Sequence, residues 1–353
     1  MNNTRESAIP LEWFDYELPS DLIAQAPLAN RDGSRLLVAN RDDSSGIVGA
    51  HFSDLSEFLK PGDLLVRNES RVLPARVFGE TLHGGKIELV FVKPVDAALL
   101  EAMVWQAIGR PGKSLRPGRI IKVGRYELEV RAKEGRTITV ASSIPLITVM
   151  QEVGRRPLPP YIIRHDEAND ALDRERYQPV FAKELGSVAA PTASLHFTNS
   201  LIEEIKQKGV RFSPVILHVG LGTFLPVPKE LDKDIRGHSM HSEYYEVPQA
   251  TIKAIEETKR EGGRIIGVGT TAVRAIESWQ SSGEAEGESR LFIYPGYRFQ
   301  SVDGMITNFH LPRSTLLMLV SAFMGRQRIQ ELYQRAILEK YRFFSYGDAM
   351  LLL

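Results

Sequence analysis

No cysteine occurs among the 353 residues. Disulfides, thiolate nucleophiles and cysteine-ligated zinc are thereby excluded, and the composition fits a reducing cytosol. Net charge is missing as well, because 44 Lys and Arg balance 44 Asp and Glu. With no global basic field to draw in nucleic acid, any RNA-binding surface must be a local patch. Long apolar runs are also lacking. The longest, Leu316 to Met324, is too short to cross a bilayer. Met1 to Pro10 is polar and has no apolar core, so it does not read as a secretory signal, and residues 1–12 read as a flexible leader. No internal repeat is visible, which sets aside solenoids and propellers.

What is present is ordinary for a soluble globular protein: 43% apolar and 25% charged residues. The length suggests about two domains. The first 67 residues alternate. Ser20 is placed to cap a short helix. Ser34 to Asn40, Gly46 to Phe52 and Asp63 to Arg67 read as strands, and Ser53 to Leu59 as a helix stopped by Pro61-Gly62. Between 68 and 150 the pattern changes to short strands: Val72 to Phe78, Lys86 to Val92, Ala102 to Gly109, Arg119 to Val123, Tyr126 to Arg131 and Thr137 to Ala141. Such a run predicts a small antiparallel β-barrel, inserted into a mixed α/β domain made of 1–67 and 151–353.

The mixed pattern then resumes. Helices are expected at Ile147 to Val153, Asn199 to Lys208, Ile252 to Glu261, Thr271 to Gln280, Ser314 to Met324 and Arg328 to Tyr341. Strands are expected at Val215 to Val219, Arg264 to Val268, Leu291 to Tyr294 and Met305 to Phe309, and residues 281–289 as a solvated loop. The fold class is therefore α/β, a barrel-like mixed main domain carrying an inserted β-barrel.

Several stretches carry chemistry. Gly186 to Thr198 is built from small residues, Pro191 and hydroxyls, with His196 as its one large polar ring. Small residues let a backbone approach a ligand closely, and Thr198 can cap the helix that follows. His218-Val219-Gly220-Leu221-Gly222-Thr223 and Gly267-Val268-Gly269-Thr270-Thr271 each follow an apolar strand. Glycines and threonines there suit a polar ligand at the carboxyl edge of a sheet. The second stretch matches the dinucleotide fingerprint only loosely, because the acidic residue expected about 20 positions on would fall in the 281–289 loop.

His238-Ser239-Met240-His241-Ser242-Glu243 has a metal-like composition, but Tyr244 to Val247 looks like strand and no third ligand falls in helical register, so no metal is assigned. His310 ends another strand-to-turn segment. Within 110–136, nine cationic side chains face three glutamates, a net +6. A locally basic β-domain on a neutral protein fits contact with a polyanion.

Taken together and in order, these segments resemble the S-adenosylmethionine:tRNA ribosyltransferase-isomerases of queuosine biosynthesis. The resemblance runs nearly end to end, through Phe14 to Pro19, Arg31 to Leu36, Val72 to Arg76, Pro157 to Ile162, Tyr177 to Thr198, His218 to Phe224, His238 to Glu243, Thr307 to Thr315 and Tyr341 to Met350. Glu69, Pro179 and Ser194 depart from the family's usual residues. The resemblance implies transfer and isomerisation of the ribosyl part of S-adenosylmethionine onto 7-aminomethyl-7-deazaguanine at the tRNA wobble position. The products would be epoxyqueuosine, adenine and methionine.

It implies S-adenosylmethionine as co-substrate, no prosthetic group or metal, a tRNA partner, no membrane, a cytoplasmic location and a monomer. Proton-transfer candidates are His196, His218, His241, Glu243 and His310. The candidate cradle for the co-substrate is Gly220, Gly222, Thr223, Gly269, Thr270 and Thr271. Candidate RNA contacts are Asn68, Arg71, Arg76, Lys113, Arg116 and Lys122. An S-adenosylmethionine-dependent RNA methyltransferase and a non-catalytic RNA-binding barrel protein remain as other readings. Reaction products discriminate the three.

Overall fold

Two periods of hydrophobic alternation build two separate interiors. The computed structural model describes residues 8–41, 46–164, 169–220 and 227–353. The strands in chain order begin with β1 (Arg35–Ala39), β2 (Ile47–His51), β3 (Leu64–Asn68) and β4 (Ser70–Val72). Six barrel strands follow: β5 (Arg76–Thr81), β6 (Lys86–Pro94), β7 (Val104–Arg110), β8 (Ile120–Val123), β9 (Tyr126–Glu134) and β10 (Thr137–Ala141). The rest are β11 (Glu184–Ser187), β12 (Arg211–Leu217), β13 (Glu243–Glu246), β14 (Ile265–Val268), β15 (Glu286–Ser289), β16 (Gly304–Asn308) and β17 (Ala349–Leu352). Helices are α1 (Leu146–Val153), α2 (Asp170–Arg176), α3 (Asn199–Gln207), α4 (Gln249–Arg260), α5 (Thr270–Ser282), α6 (Thr315–Met324) and α7 (Arg326–Leu338).

The main sheet has nine strands in the order β15-β13-β12-β3-β14-β16-β17-β1-β2. Its centre, β12-β3-β14-β16, is parallel, and antiparallel strands flank it. Period-two alternation sorts the side chains onto two buried faces. Leu37, Leu64, Val66, Val215, Leu217, Ile265 and Met305 join one core with α4 to α7. Leu36, Val38, Leu65, Ile266, Val268 and Ile306 join the other with α3 and the tight 3₁₀ segment Phe52–Phe58. Thr198 caps α3 by accepting the Leu201 N–H at 3.2 Å, and Ser314 caps α6 in the same way.

The inserted strands close on themselves in the order β10-β7-β6-β5-β8-β9. Closure leaves no unpaired edge. In β9 Leu128 and Val130 point inward while Glu127 and Glu129 are exposed, as strict alternation requires. Trp105 and Phe91 meet edge to face at 6.1 Å in the apolar interior, which α1 plugs with Leu146, Ile147, Val149 and Met150.

Five expectations need correction. Val72 to Phe78 is not one strand: Pro74 lacks the N–H a ladder needs, and the segment splits into β4, which pairs with β11, and β5 of the barrel. Residues 281–289 are not all loop, because Glu286 to Ser289 pair with β13; the polar sequence is tolerated at a sheet edge, where charge is an advantage. Leu291 to Tyr294 forms no strand; Phe292 packs instead on the rings of His238 and Tyr294 at 5.1 and 5.0 Å. Ser53 to Leu59 winds as 3₁₀ rather than α-helix. Residues 1–7 of the expected leader lie outside the described residues, and its end is packed rather than flexible, since Leu11 is buried and its N–H donates to the Asp232 carbonyl at 3.0 Å.

Candidate active site

A cleft opens at the carboxyl ends of the parallel strands, the position where open α/β sheets bind ligands. Its empty space is about 690 Å³, counting the open mouth. Most of the wall comes from Ala189 to Ala193, the β14–α5 turn at Gly269 to Thr271, the end of β16 at Thr307 to Leu311, Phe344-Ser345 and Tyr161, with Val219, Ser314 and Leu316 completing it.

The β14–α5 turn is tight because Gly269 has φ +88°, a region open to glycine. Its N–H donates to the Ile306 carbonyl at 2.7 Å, which fixes the turn against β16. A Cβ at Gly269 would stand 3.6 Å from Ala193, so small residues face each other across the floor. Thr270 and Thr271 begin α5, where N–H groups and the helix dipole favour an acceptor or anion. The Thr271 hydroxyl is buried without a hydrogen-bond partner.

Asn308 ends β16 and is 2% exposed. Three acceptors surround its Nδ2: His196 Nε2 at 3.1 Å, the Phe344 carbonyl at 3.1 Å and the Asp348 carbonyl at 3.4 Å. A flipped amide would set its oxygen against two carbonyls, so the orientation is fixed. Asn308 Oδ1 is left buried and without a partner. An unpaired buried acceptor is costly, and a ligand donor relieves the cost.

His196 stands behind Asn308 rather than in the cleft wall. Its Nδ1 is 3.0 Å from Ser34 Oγ, and its ring lies 4.9 Å from Phe52. Burial pulls its pKa down to about 4, so it is neutral and orients the amide.

His310 does line the cleft. Its Nε2 is 2.8 Å from Thr307 Oγ1, its backbone N–H donates to Tyr333 Oη at 2.8 Å, and the Tyr16 hydroxyl donates to its carbonyl. Burial lowers its pKa to about 3. At neutral pH this imidazole is unprotonated and held in one orientation.

A second polar group gathers beyond Val219. His218 Nδ1 is 2.8 Å from Ser70 Oγ, which lies 2.6 Å from Ser187 Oγ, and Ser187 accepts the Val219 N–H at 3.0 Å. The ring stacks on Tyr244 at 5.5 Å, and a Cβ at Gly186 would overlap it. That close approach explains the glycine. Burial lowers the His218 pKa to about 4. Glu243 on β13 accepts the Gly220 N–H at 2.9 Å and pairs with Arg274 of α5, both side chains being almost wholly buried. Nε and Nη2 of Arg274 are buried without partners.

The sequence candidates therefore divide. His310, Gly269, Thr270 and Thr271 meet in the cleft. His196 supports it from behind. His218, Gly220 and Glu243 form the neighbouring group. His241 is exposed and stands apart from the buried Glu243; among the described residues no group of three or more His, Asp or Glu is arranged to hold a metal. Gly222 and Thr223 lie outside the described residues.

Of the RNA candidates, Lys113, Arg116, Lys122 and Arg71 are exposed. Arg76 is half-buried on Glu88 at 2.8 Å. Asn68 has no surface to offer: it is buried, with its amide bridging the Leu217 carbonyl, the Leu217 N–H and the Ser70 N–H at 2.9 to 3.1 Å. Sequence reasoning passed over Asn308, Arg274, Tyr161 and Ser345. Asn308 was signalled only as a polar residue ending an apolar strand. Arg274 was signalled by falling one turn after Thr270 on the buried face of α5.

The model of the family described as "Queuosine biosynthesis protein" matches residues 11–352. A relative from Rubrobacter xylanophilus named S-adenosylmethionine:tRNA ribosyltransferase-isomerase is 48% identical over 343 residues, 96% of each chain. One of the same name from Desulforamulus reducens is 45% identical over 352 residues, 96% of this chain and 98% of its own. Among solved structures, the S-adenosylmethionine tRNA ribosyltransferase of Thermotoga maritima is 35% identical with a TM-score of 0.56, covering 97% of this chain and 100% of that one.

Proposed function

Because the chain belongs to the queuosine biosynthesis protein family, matched over residues 11–352, we propose that it is an S-adenosylmethionine:tRNA ribosyltransferase-isomerase. It transfers the ribosyl unit of S-adenosylmethionine to the aminomethyl group of 7-aminomethyl-7-deazaguanine at the tRNA wobble position and isomerises it to the epoxycyclopentanediol of epoxyqueuosine. A C–N bond to the amine forms and a new C–C bond closes the five-membered carbon ring, while the bonds from ribosyl carbon to sulfur and to adenine and one ribosyl C–H bond break. Methionine leaves as a neutral thioether and adenine as the neutral base. With the amine starting as an ammonium, two protons are released.

The observation that carries this reading is the cleft itself, where Asn308 Oδ1 and the Thr271 hydroxyl are both buried and unpartnered. Small residues at 189–193 and Gly269 give the adenosyl unit close approach, and Asn308 and Thr271 meet its polar edge. The sulfonium acidifies the adjacent C5′, so a base beside it can remove a proton. His310 is our choice, since it lines the cleft and its ring is held by Thr307. The Glu243–Arg274 pair with Gly220 shapes the end of the cleft beyond Val219. His196 behind Asn308 and His218 beyond Val219 support the site, and Gly222, Thr223 and His241 stay in the proposed set on their sequence alone. No metal is required by this chemistry.

The barrel, within the proposed division of 68–150 from 1–67 and 151–353, offers Lys113, Arg116 and Lys122 to the tRNA backbone, with Arg71 and Arg76 nearer the cleft. We place the enzyme in the cytoplasm as a monomer. Among the described residues no helix is long and apolar enough to cross a membrane.

The test is incubation with S-adenosylmethionine and tRNA carrying the aminomethyl-deazaguanine, followed by mass analysis. Adenine and methionine should appear in step with modified tRNA. Appearance of S-adenosylhomocysteine instead would mean methyl transfer, and no turnover would mean a binding protein.

A further inference from the structure

The outward face of β5 carries Arg76 and Phe78, two positions apart and so on the same side of the strand. Phe78 is 42% exposed. Two guanidiniums lie over its ring, those of Arg76 and Arg155, each 5.0 Å from the centroid. The backbone brings them together: Arg76 and Arg155 exchange N–H···O bonds at 3.0 and 2.7 Å in an isolated antiparallel bridge. Carboxylates then hold both forks, Glu88 on Arg76 at 2.8 Å and Asp170 on Arg155 at 2.9 Å. Ring and guanidinium planes are thus ordered before anything binds, which reduces the entropy lost on binding.

The surroundings are cationic. Arg156 turns inward and donates to the Val72 carbonyl. Burial, with the charges of Arg71 and Arg174 close by, lowers its pKa to about 10. Arg71 and Arg174 are exposed and make no ion pair among the described residues. Val72, whose carbonyl Arg156 meets, packs beneath in one buried cluster with Tyr161 and Ala190, which line the cleft.

A half-exposed aromatic ring with two planar guanidiniums over it, flanked by unpaired cations, offers planar surfaces that match unstacked bases with their phosphates. A base-paired stem hides the faces of its bases and cannot use such a ring. We propose that Phe78, framed by Arg76 and Arg155, is a stacking platform for an unpaired base of the RNA substrate's loop, with Arg71 and Arg174 holding the adjoining phosphates. This rests on the tRNA reading above and extends it to a named platform at the junction of barrel and sheet.

The experiment uses the full chain with two probes, an anticodon stem-loop RNA and a blunt duplex of the same stem sequence, titrated at several salt concentrations. Phe78→Ala should weaken stem-loop binding about tenfold, which is about 1.4 kcal/mol, with the salt slope unchanged and duplex binding unaffected. Phe78→Leu should lose as much, because it keeps apolar bulk without a ring, while Phe78→Trp should bind as the parent does. Arg71→Gln with Arg174→Gln should instead flatten the slope of log affinity against log salt by about 1.4, at about 0.7 per single-strand phosphate. S-adenosylmethionine affinity should stay constant throughout.

Full stem-loop binding by Phe78→Ala, or an equal loss on the duplex, would overturn the platform while leaving the tRNA reading intact. Full binding by Phe78→Leu would point to an apolar protein contact and overturn it too. If the parent protein binds neither RNA, the tRNA reading falls and the platform with it.

Discussion

The nine-stranded sheet and the six-stranded barrel are built from the same alternation of apolar and polar residues, yet they differ in what they bury. Between Arg76 and Ala141, all of it described, Thr81 alone is a buried polar side chain. The sheet region buries Asn68, Glu69, Glu243, Arg274, Glu277 and Asn308, together with His196 and His310. A closed barrel satisfies its own backbone and needs only apolar filling. A sheet that must present a cleft at its carboxyl edge has to carry polar groups inward. Each of those needs a partner, and Asn308 Oδ1 and Thr271 Oγ1 have none within the protein. The lesson is that interior polarity marks the reactive region here, whereas surface polarity marks the barrel.

Acid should open the widest gap between the two. His196, His218 and His310 are held neutral by burial, with pKa values lowered to about 4, 4 and 3, against about 6.5 for an unfolded histidine. Below 6.5 the unfolded chain binds more protons than the folded one, so stability is complete above that value and falls as pH drops toward 4. The barrel's histidine, His83, is exposed, so the sheet should unfold first. Trp105 reports the barrel, and Trp13 and Trp279 the sheet. Coincident fluorescence transitions for single-tryptophan variants would erase the distinction.

Next in size is Arg274→Met, which leaves the Glu243 carboxylate buried without its guanidinium. A loss of about 3–5 kcal/mol in denaturant unfolding is expected. A loss under about 1 kcal/mol would mean that the pair is better solvated than its burial implies. His310→Gln should slow adenine release by about 100-fold or more, the low end for a proton-transfer residue, with S-adenosylmethionine affinity nearly unchanged. An unaltered rate would shift the base to another group. The smallest effect belongs to the barrel surface. Changing Lys113, Arg116 and Lys122 to glutamine should alter stability by no more than about 0.5 kcal/mol, while reducing the salt slope of tRNA binding by about 2–3. A constant slope would make those cations a solvated face.

Much of this was legible in the sequence where local pattern decides. Tyr126 to Arg131 alternates and forms barrel strand β9; Thr198 caps α3; Gly269 makes the turn its position suggested. What depended on distant partners was not legible. Glu286 to Ser289 reads as solvated loop by composition and becomes strand only because β13 lies beside it. Asn68 looked like a surface contact, yet three backbone groups, two on Leu217 of β12 and one on Ser70 of β4, claim its amide. His196 and His310 look alike in sequence. Only packing reveals that one supports Asn308 from behind while the other faces the cleft.

The strand β17 has a consequence for how the chain reaches this state. It lies between β16 and β1, so Leu36 pairs with Ala349, and the Arg35 N–H donates to Asp348 across 313 positions of sequence. The barrel's ladders, by contrast, lie wholly within 76–141. During synthesis the barrel can form as soon as it emerges, whereas β1 and β2 wait as an orphan hairpin until Ala349 to Leu352 arrive. Long-range pairing is slow, and unpaired edges invite association. A nascent chain halted before Ala349 would carry a finished barrel beside a sheet gaping between β16 and β1, and it would be a client for chaperones rather than an enzyme.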